Sequence, residues 1–182
     1  RVSPGPAAAV QGQVRMRLAS ELATIDLSGP SDCRVFTPDD REAIVARLGP
    51  DPLRRDARPQ VAIERMASSR QPIGQVLLDQ RVLAGVGNVF RAEALFVLGI
   101  GPRRPARDCS SDELQSLWET LVAMLRKGVK DNRIVTINRR RFPVPSEAAK
   151  RGDKTYVYHR DVCLECATPV QTVELGGRAC YY

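Results

Sequence analysis

The sequence predicts an α+β fold in which a helical region lies between β structure at both ends. Two short runs before residue 30 alternate apolar with polar or basic residues, which is typical of strands. From Pro59 onward the pattern is helical, and apolar residues recur at steps of three and four over residues 112–127. Near the C-terminus strand-like runs resume around a Gly-Gly pair, which predicts a hairpin.

The bulk composition supports a folded protein with a polyanionic partner. Of 182 residues, 43% are hydrophobic, which is sufficient for a core. Lys and Arg exceed Asp and Glu, 28 to 21, and the net charge of +7 suits nucleic acid or an anionic membrane surface. No run reaches the roughly 20 apolar residues of a membrane span, and no signal peptide is evident. We therefore expect a cytoplasmic protein that does not enter a membrane.

The first predicted domain covers residues 1–36. The Pro-, Ala- and Gly-rich stretch over residues 1–13 predicts a loop or linker. Residues 14–18 and 23–27 then alternate in polarity up to a Ser-Gly-Pro break, which predicts two strands. We interpret them as the last strands of a sheet whose partner strands lie outside this sequence.

The second predicted domain, residues 37–132, is helical. Thr37 is a favourable N-cap, Pro38 suits the first helical position, and this helix is predicted to run to Leu48 before Gly49-Pro50. Further helices are predicted over residues 61–68, 73–83, 88–98 and 112–127. The last presents an apolar stripe that we assign to the core, with no binding role for its tryptophan: Leu114, Leu117, Trp118, Leu121, Val122 and Leu125.

The C-terminal part is predicted as a basic segment followed by strands. Between Arg133 and Arg160, eight Lys or Arg residues stand against two acids, which predicts a basic, mobile loop over residues 133–154. The last predicted domain, residues 155–182, has strands at 155–158, 170–174 and 178–182. Gly176-Gly177 supplies the turn between the last two strands.

The five cysteines are spaced as for a metal site rather than a secreted disulfide framework. Cys33 and Cys109 stand alone, whereas Cys163 and Cys166 form a CxxC pair and Cys180 follows near the end. A structural zinc ion takes four ligands in a tetrahedron. Cysteine spacing alone would name Cys180 as the third ligand, with His159 as a candidate fourth.

Residues 85–88, Gly-Val-Gly-Asn, have two interpretations. Glycines allow positive φ and close backbone approach, and Asn88 opens a helix whose unpaired N–H groups attract an anion such as phosphate. The same residues also suit an ordinary helix corner, with a Gly C-cap and Asn88 as N-cap. Spacing alone favours the corner.

A longer resemblance favours the phosphate site. Residues 71–96, which include the Asp79-Gln80 pair and the Gly-Val-Gly-Asn turn, resemble the helix–two-turn–helix motif of the formamidopyrimidine-DNA glycosylase and endonuclease VIII family. Residues 48–53 resemble the family's linker, and residues from Tyr156 onward resemble its zinc finger. The resemblance implies end strands of an N-terminal β-sandwich, a helix–two-turn–helix domain and a C-terminal zinc-finger β-hairpin.

The resemblance also implies roles for individual residues. Asn88, with Gly87, would bind the phosphate beside a nucleotide flipped out of the duplex, and Arg178 at the hairpin tip would reach the same phosphate pair. Glu93 matches a glutamate near the family's catalytic site and would have a supporting role. Cys163 and Cys166 would be two of four Zn²⁺ ligands, and the other two are expected beyond Tyr182. Cys180 then falls on a strand position that does not bind metal, and His159 on the surface.

The implied activity is that of a bifunctional DNA glycosylase and AP lyase in base-excision repair. The family uses an N-terminal Pro followed by Glu to attack the sugar. Pro4 precedes Gly5 and Pro6 precedes Ala7, so no catalytic residue is expected in this chain. Either the chain has lost the catalytic half, or it comes from a longer parent. The expected partner is double-stranded DNA with oxidised bases or abasic sites, bound by a monomer associated with the nucleoid.

Two further points bear on substrate and function. Family members specialised for oxidised purines tend to carry Lys where Gly74 stands, so glycine at this position favours oxidised pyrimidines. The alternative function is a non-catalytic DNA-binding module, because the helix–two-turn–helix motif also occurs in some ribosomal and topoisomerase proteins.

Overall fold

The computed structural model describes residues 2–6, 9–10, 12–29, 33–137 and 154–182. The chain divides into two compact units, Arg1–Ala46 and Arg47–Tyr182. The helix after residue 37 groups with the N-terminal strands, and the C-terminal hairpin groups with the helices. Most of the predicted basic loop, residues 138–153, lies outside the described residues.

The first unit contains a three-stranded antiparallel sheet of β1 (Val2–Pro4), β2 (Val14–Ala19) and β3 (Ala23–Ser28), in the order β1-β3-β2. The strands β2 and β3 confirm the two predicted ones. The prediction of a loop over the first residues is wrong for β1. This strand forms because the far edge of β3 offers unpaired backbone groups, and Val2 pairs with Ile25 there.

One face of this sheet is apolar and exposed. Cross-strand pairing places a set of hydrophobic side chains on that face, all of them substantially exposed: Val2, Met16, Leu18, Ile25 and Leu27. The other face carries an ion pair between Arg17 and Asp26, whose Nε and Oδ1 atoms are 2.6 Å apart. Antiparallel sheets commonly have one apolar face and one polar face, as this sheet does.

Helix α1 (Pro38–Ala46) begins as the sequence predicts. The Thr37 hydroxyl accepts the Asp40 N–H at 3.2 Å, and the Asp40 carboxylate accepts the Thr37 N–H at 2.9 Å. The helix ends two residues before the predicted Leu48. The chain turns there, and the Gly49 N–H donates to the Gln80 carbonyl at 2.8 Å.

The second unit packs four helices around one core: α2 (Pro59–Ala67), α3 (Ile73–Val76), α4 (Asn88–Leu98) and α5 (Ser111–Asp131). The bounds of α4 are those predicted. Helix α5 begins with a capping box between Ser110 and Glu113 and ends at Asn132. The predicted stripe of α5 is confirmed as core, including the buried Trp118. In the described part of the chain, no helix is both long and apolar enough to cross a membrane.

Helix α3 is much shorter than the predicted 73–83. After Val76 the chain continues in turns, with the Asp79 N–H bonded to the Val76 carbonyl at 3.1 Å and the Val82 N–H to the Asp79 carbonyl at 2.8 Å. The Asp79 carboxylate accepts the N–H of Arg81 at 2.9 Å and so offers the backbone an alternative to the helix. The apolar spacing of residues 77–83 reflects buried turns.

The C-terminal hairpin pairs β4 (Thr172–Leu175) with β5 (Arg178–Tyr181). Gly176 and Gly177 have φ of +61° and +71°, as a two-residue turn with both central residues left-handed requires. This confirms the predicted turn. The strand predicted at 155–158 is wrong, because the backbone N–H groups of that segment are bonded to a side chain instead of a neighbouring strand.

That side chain is Glu93 of α4, which is fully buried. Its Oε2 accepts the Tyr156 N–H at 2.7 Å and the Thr136 hydroxyl, and its Oε1 accepts the N–H groups of Val157 and Tyr158, each at 2.9 Å. Four donors thus solvate the carboxylate in place of water. Glu93 attaches the segment after residue 153 to helix α4, beside a second apolar cluster that includes Tyr156 and Val157.

Replacing Glu93 by Gln should lower the free energy of unfolding by about 3 kcal/mol, because an amide NH₂ would face N–H donors that need an acceptor. Urea denaturation of the full chain measures this change. The matched control is Glu64→Gln on the exposed face of α2, which should alter stability by less than about 0.5 kcal/mol. Equal stability of the two variants would contradict the role given to Glu93.

Candidate functional site

The turn before α4 is held open by the side chain of Gln80. Its Oε1 accepts the Gly85 N–H at 2.8 Å, and its Nε2 donates to the carbonyls of Leu78 at 3.2 Å and Val86 at 3.1 Å. Gly85 has a φ of +86°, which a glycine adopts without strain. These three hydrogen bonds fix the backbone of the turn, while Gly85 itself remains exposed.

Gly87 and Asn88 begin α4 in a way that differs from the predicted cap. Gly87 is the N-cap residue, in an extended conformation, and Asn88 is the first helical residue. A Cβ atom at Gly87 would meet nothing within 4 Å, so the fold does not require a glycine there. No side-chain cap bond and no acidic residue occur in the first turn of α4. The positive end of the helix dipole is thus left without a compensating acid.

The Asn88 side chain bonds both to the hairpin and to Arg91 of its own helix. Its Nδ2 donates to the Ala179 carbonyl at 2.9 Å, and its Oδ1 accepts a hydrogen bond from Nη2 of Arg91. Asn88 is partly buried, and Ala179 follows directly on Arg178. The structure therefore brings the two predicted phosphate-binding residues together, although they are 90 positions apart in sequence.

Arg91 is the central residue of this arrangement and was not predicted. Its side chain is fully buried. Nη1 donates to the carbonyls of Gly74 at 3.1 Å and Leu175 at 3.0 Å, and Nη2 donates to those of Arg178 at 3.3 Å and Ala179 at 3.0 Å. The sequence signal was present, because a charged residue inside an otherwise apolar helix must find buried partners.

Two positive charges lie close together in the site. Burial lowers the pKa of Arg91, and the nearby positive charge of Arg178 acts in the same direction. The guanidinium nevertheless stays protonated at neutral pH. The Arg178 side chain is exposed at the start of β5. An exposed cation, a buried cation and a helix N-terminus therefore lie close together, where the start of α4 meets β5.

Gly74 has a packing role at the base of the site. A Cβ atom there would come within 2.8 Å of Leu175 Cδ1 and 3.0 Å of the Pro102 carbonyl oxygen. The absence of a side chain lets the hairpin lie against α3 and lets Arg91 reach the Gly74 carbonyl. A Cβ atom at this position would require the end of the Leu175 side chain and the Pro102 carbonyl to shift.

The CxxC pair forms a tight turn close to the hairpin. The Cys163 N–H donates to the Thr168 carbonyl at 2.8 Å, and the Glu165 N–H donates to Cys163 Sγ at 3.3 Å. Burial raises the pKa of Cys163, whereas a hydrogen bond with the Thr168 hydroxyl lowers the pKa of Cys166. Within the described ranges, no three His, Cys, Asp or Glu side chains come close enough together to hold a metal ion.

The other two residues weighed as ligands lie elsewhere. Cys180 is buried in β5, and burial raises the pKa of its thiol. His159 is exposed and contacts two aromatic rings, edge-on to Tyr158 at a centroid distance of 4.6 Å and tilted against Tyr181 at 4.9 Å. The residues present supply two sulfur donors in a compact turn, which fits half of a tetrahedral zinc site.

Comparison with known proteins identifies the family. Residues 48–139 match the family model described as the formamidopyrimidine-DNA glycosylase H2TH domain. Endonuclease 8 1 of Mycobacterium tuberculosis is 40% identical over 174 residues, covering 94% of this chain and 65% of that protein. Formamidopyrimidine-DNA glycosylase of Geobacillus kaustophilus is 35% identical over 145 residues, covering 79% of this chain and 52% of that protein. The chain therefore spans between half and two thirds of these relatives.

Solved structures agree on the fold. The crystal structure of the MutM (Fpg) protein from Thermus thermophilus superposes with a TM-score of 0.70 at 27% identity, covering 98% of this chain and 70% of that one. A Lactococcus lactis Fpg in complex with abasic-site-containing DNA gives a TM-score of 0.72 at 18% identity, covering 100% and 69%. The predicted α+β class is confirmed. The chain belongs to the formamidopyrimidine-DNA glycosylase and endonuclease VIII family.

Proposed function

We propose that this chain is the DNA-binding half of a base-excision repair enzyme, a bifunctional DNA glycosylase and AP lyase that acts on oxidised bases. Family membership and the 40% identical relative named Endonuclease 8 1 support this activity. The observation that carries the proposal is the meeting of Asn88 with the hairpin residue next to Arg178. We call Gly87, Asn88 and Arg178 the phosphate clamp.

The phosphate clamp suits a phosphodiester because each of its members offers positive charge or N–H donors. The start of α4 lacks an acidic residue, and one Nδ2–H of Asn88 is taken by Ala179, which leaves the second for an oxygen outside the chain. Gly87 leaves space for close approach, and Arg178 adds an exposed cation. Such contacts fix the register of DNA without reading its sequence, as a search for rare lesions requires.

The proposed division of labour leaves the chemistry to residues outside positions 1–182. The family's nucleophile is an N-terminal proline followed by glutamate, and neither Pro4 nor Pro6 has that neighbour. The Glu93 carboxylate already accepts four hydrogen bonds, so we propose that its supporting role consists of holding the C-terminal segment. In this proposal the chain grips the backbone while the target nucleotide is flipped out of the stack.

We further propose that Cys163 and Cys166 bind a structural Zn²⁺ ion together with two ligands beyond Tyr182. The hydroxyl of Thr168 beside Cys166 Sγ favours a thiolate at Cys166, the form that binds zinc. The Glu165 N–H donated to Cys163 Sγ opposes the burial that raises the pKa of Cys163. Bound zinc would act as a cross-link that stiffens the finger. We propose oxidised pyrimidines as the substrate class, because glycine stands at position 74, where family members specialised for oxidised purines tend to carry Lys.

The first test concerns the phosphate clamp. Asn88→Ala and Arg178→Ala should each weaken binding to a duplex with an abasic-site analogue by about tenfold, since each removes a charged or charge-assisted contact. Arg178→Ala should also reduce the slope of log affinity against log salt by about one. Fluorescence anisotropy over a salt series measures both quantities.

The matched control for the clamp is Arg126→Ala on the exposed side of α5, which removes one positive charge outside the clamp. It should lower affinity by about twofold or less through the general charge effect. Wild-type affinity in both clamp variants would overturn the clamp.

The second test concerns zinc in the full-length parent. Elemental analysis should find one zinc per molecule, and Cys163→Ser or Cys166→Ser should lose it because two thiolates of a tetrahedral site are indispensable. Cys180→Ala, which removes a buried thiol from β5, should retain the metal. Zinc retained without Cys163, or lost without Cys180, would refute the ligand assignment.

The third test concerns the chemistry. Borohydride should trap the full-length parent covalently on DNA that contains an abasic site, because an amine nucleophile forms a reducible Schiff base. Intact-mass analysis should show a parent that begins with Pro-Glu. Tight DNA binding with no trapped adduct would exclude the lyase and favour the non-catalytic binding module.

A further inference from the structure

We propose that Arg91 is a positioning residue that sets the direction in which the Asn88 carboxamide faces and joins it to the Arg178 strand, so that the phosphate clamp is assembled before DNA arrives. The inference rests on the proposed function for its purpose.

The chemistry of the contacts fixes the orientation of Asn88. A guanidinium nitrogen can only donate, so the Asn88 atom that faces Arg91 must be the oxygen. A carbonyl oxygen can only accept, so the atom that faces Ala179 must be the nitrogen. With only one of these two hydrogen bonds, the carboxamide could still rotate about that bond. Together they hold the nitrogen, with its second N–H, toward the hairpin edge where Arg178 begins.

Only an arginine can make this set of contacts. The two terminal nitrogens of Arg91 reach five oxygens on four segments: Gly74 before α4, Asn88 on α4, Leu175 on β4, and Arg178 and Ala179 on β5. The two terminal nitrogens carry four N–H groups in one planar fork, one of them shared between two oxygens, whereas a lysine offers three N–H groups from one point. The Nε–H of Arg91 has no hydrogen-bond partner among the described residues. Arg91 therefore sets the distance between the start of α4 and the hairpin.

The charge balance around Arg91 points to an anionic ligand. All five oxygens belong to neutral carbonyl or carboxamide groups, and the buried cation lies in the first turn of a helix, where the dipole is already positive. Burying a cation in such surroundings costs stability. A phosphate at the clamp would offset that cost, so the arrangement favours the DNA-bound state.

The first arm of the test uses the full chain without DNA and reads the Asn88 side-chain amide by ¹⁵N NMR. Arg91→Met should make exchange of the Asn88 Nδ2 protons with water at least about tenfold faster, because the carboxamide loses the donor that holds it. Thermal unfolding monitors folding. If Arg91→Met does not fold, Arg91→Lys carries the same expectation, since it keeps the charge but not the fork. Unchanged exchange in a folded variant overturns the proposal.

The second arm measures affinity for the abasic-site duplex in two backgrounds. Arg91→Met should weaken binding about tenfold in the wild-type chain, and by less than about twofold in a chain that already carries Asn88→Ala and Arg178→Ala, because a residue that acts through others has no effect without them. An equal loss in both backgrounds would mean that Arg91 acts through overall stability and would overturn the proposal.

The two arms separate this proposal from the proposed function. Faster Asn88 exchange in Arg91→Met, with every variant binding DNA like wild type, would confirm the positioning of Asn88 and refute the clamp as a DNA contact. Unchanged Asn88 exchange, with Asn88→Ala and Arg178→Ala both weakening binding, would refute the role of Arg91 and leave the clamp standing.

Discussion

The buried guanidinium of Arg91 is the constraint on which the rest of the site depends. Its four backbone acceptors lie on the chain before α4 and on both hairpin strands, and its fifth is the Asn88 carboxamide. A desolvated cation requires these acceptors, and the hairpin carbonyls gain donors that water would otherwise supply. The glycine at position 74 lies at one of these contacts, and a Cβ atom there would come within 2.8 Å of Leu175 Cδ1.

Helix α4 thus holds both the C-terminal hairpin and the segment that precedes it. Arg91 attaches the hairpin at the start of the helix, and two residues later Glu93 attaches the segment from Tyr156 to Tyr158 through its carboxylate. One residue donates and the other accepts, so the two buried charges satisfy backbone groups of opposite type. Two side chains of a single helix turn therefore bind backbone groups that strands of a continuous sheet would otherwise bind. This explains why the C-terminal hairpin groups with the helices as one compact unit.

The parts of the fold that sequence predicts well are those determined by neighbours in the chain. The bounds of α4, the Thr37 cap and the turn at Gly176-Gly177 depend on local geometry and were predicted correctly. Helix α3 was predicted too long because the Asp79 carboxylate accepts the backbone N–H of Arg81 and favours a turn there. The segment at 155–158 was predicted as a strand because its alternation suits one, whereas its partner is a carboxylate more than 60 positions away. Arg91 was missed for the same reason, since its partners on β5 are 87 and 88 positions away.

A crystal structure of this chain with an abasic-site duplex tests the central claim most directly. The account predicts a phosphate oxygen within hydrogen-bonding distance, about 3 Å, of both Asn88 Nδ2 and the Arg178 guanidinium. It also predicts that the Arg91 contacts to Gly74, Leu175 and Ala179 persist unchanged. A duplex bound elsewhere, or a hairpin that leaves Arg91 when DNA binds, would contradict a clamp assembled in advance.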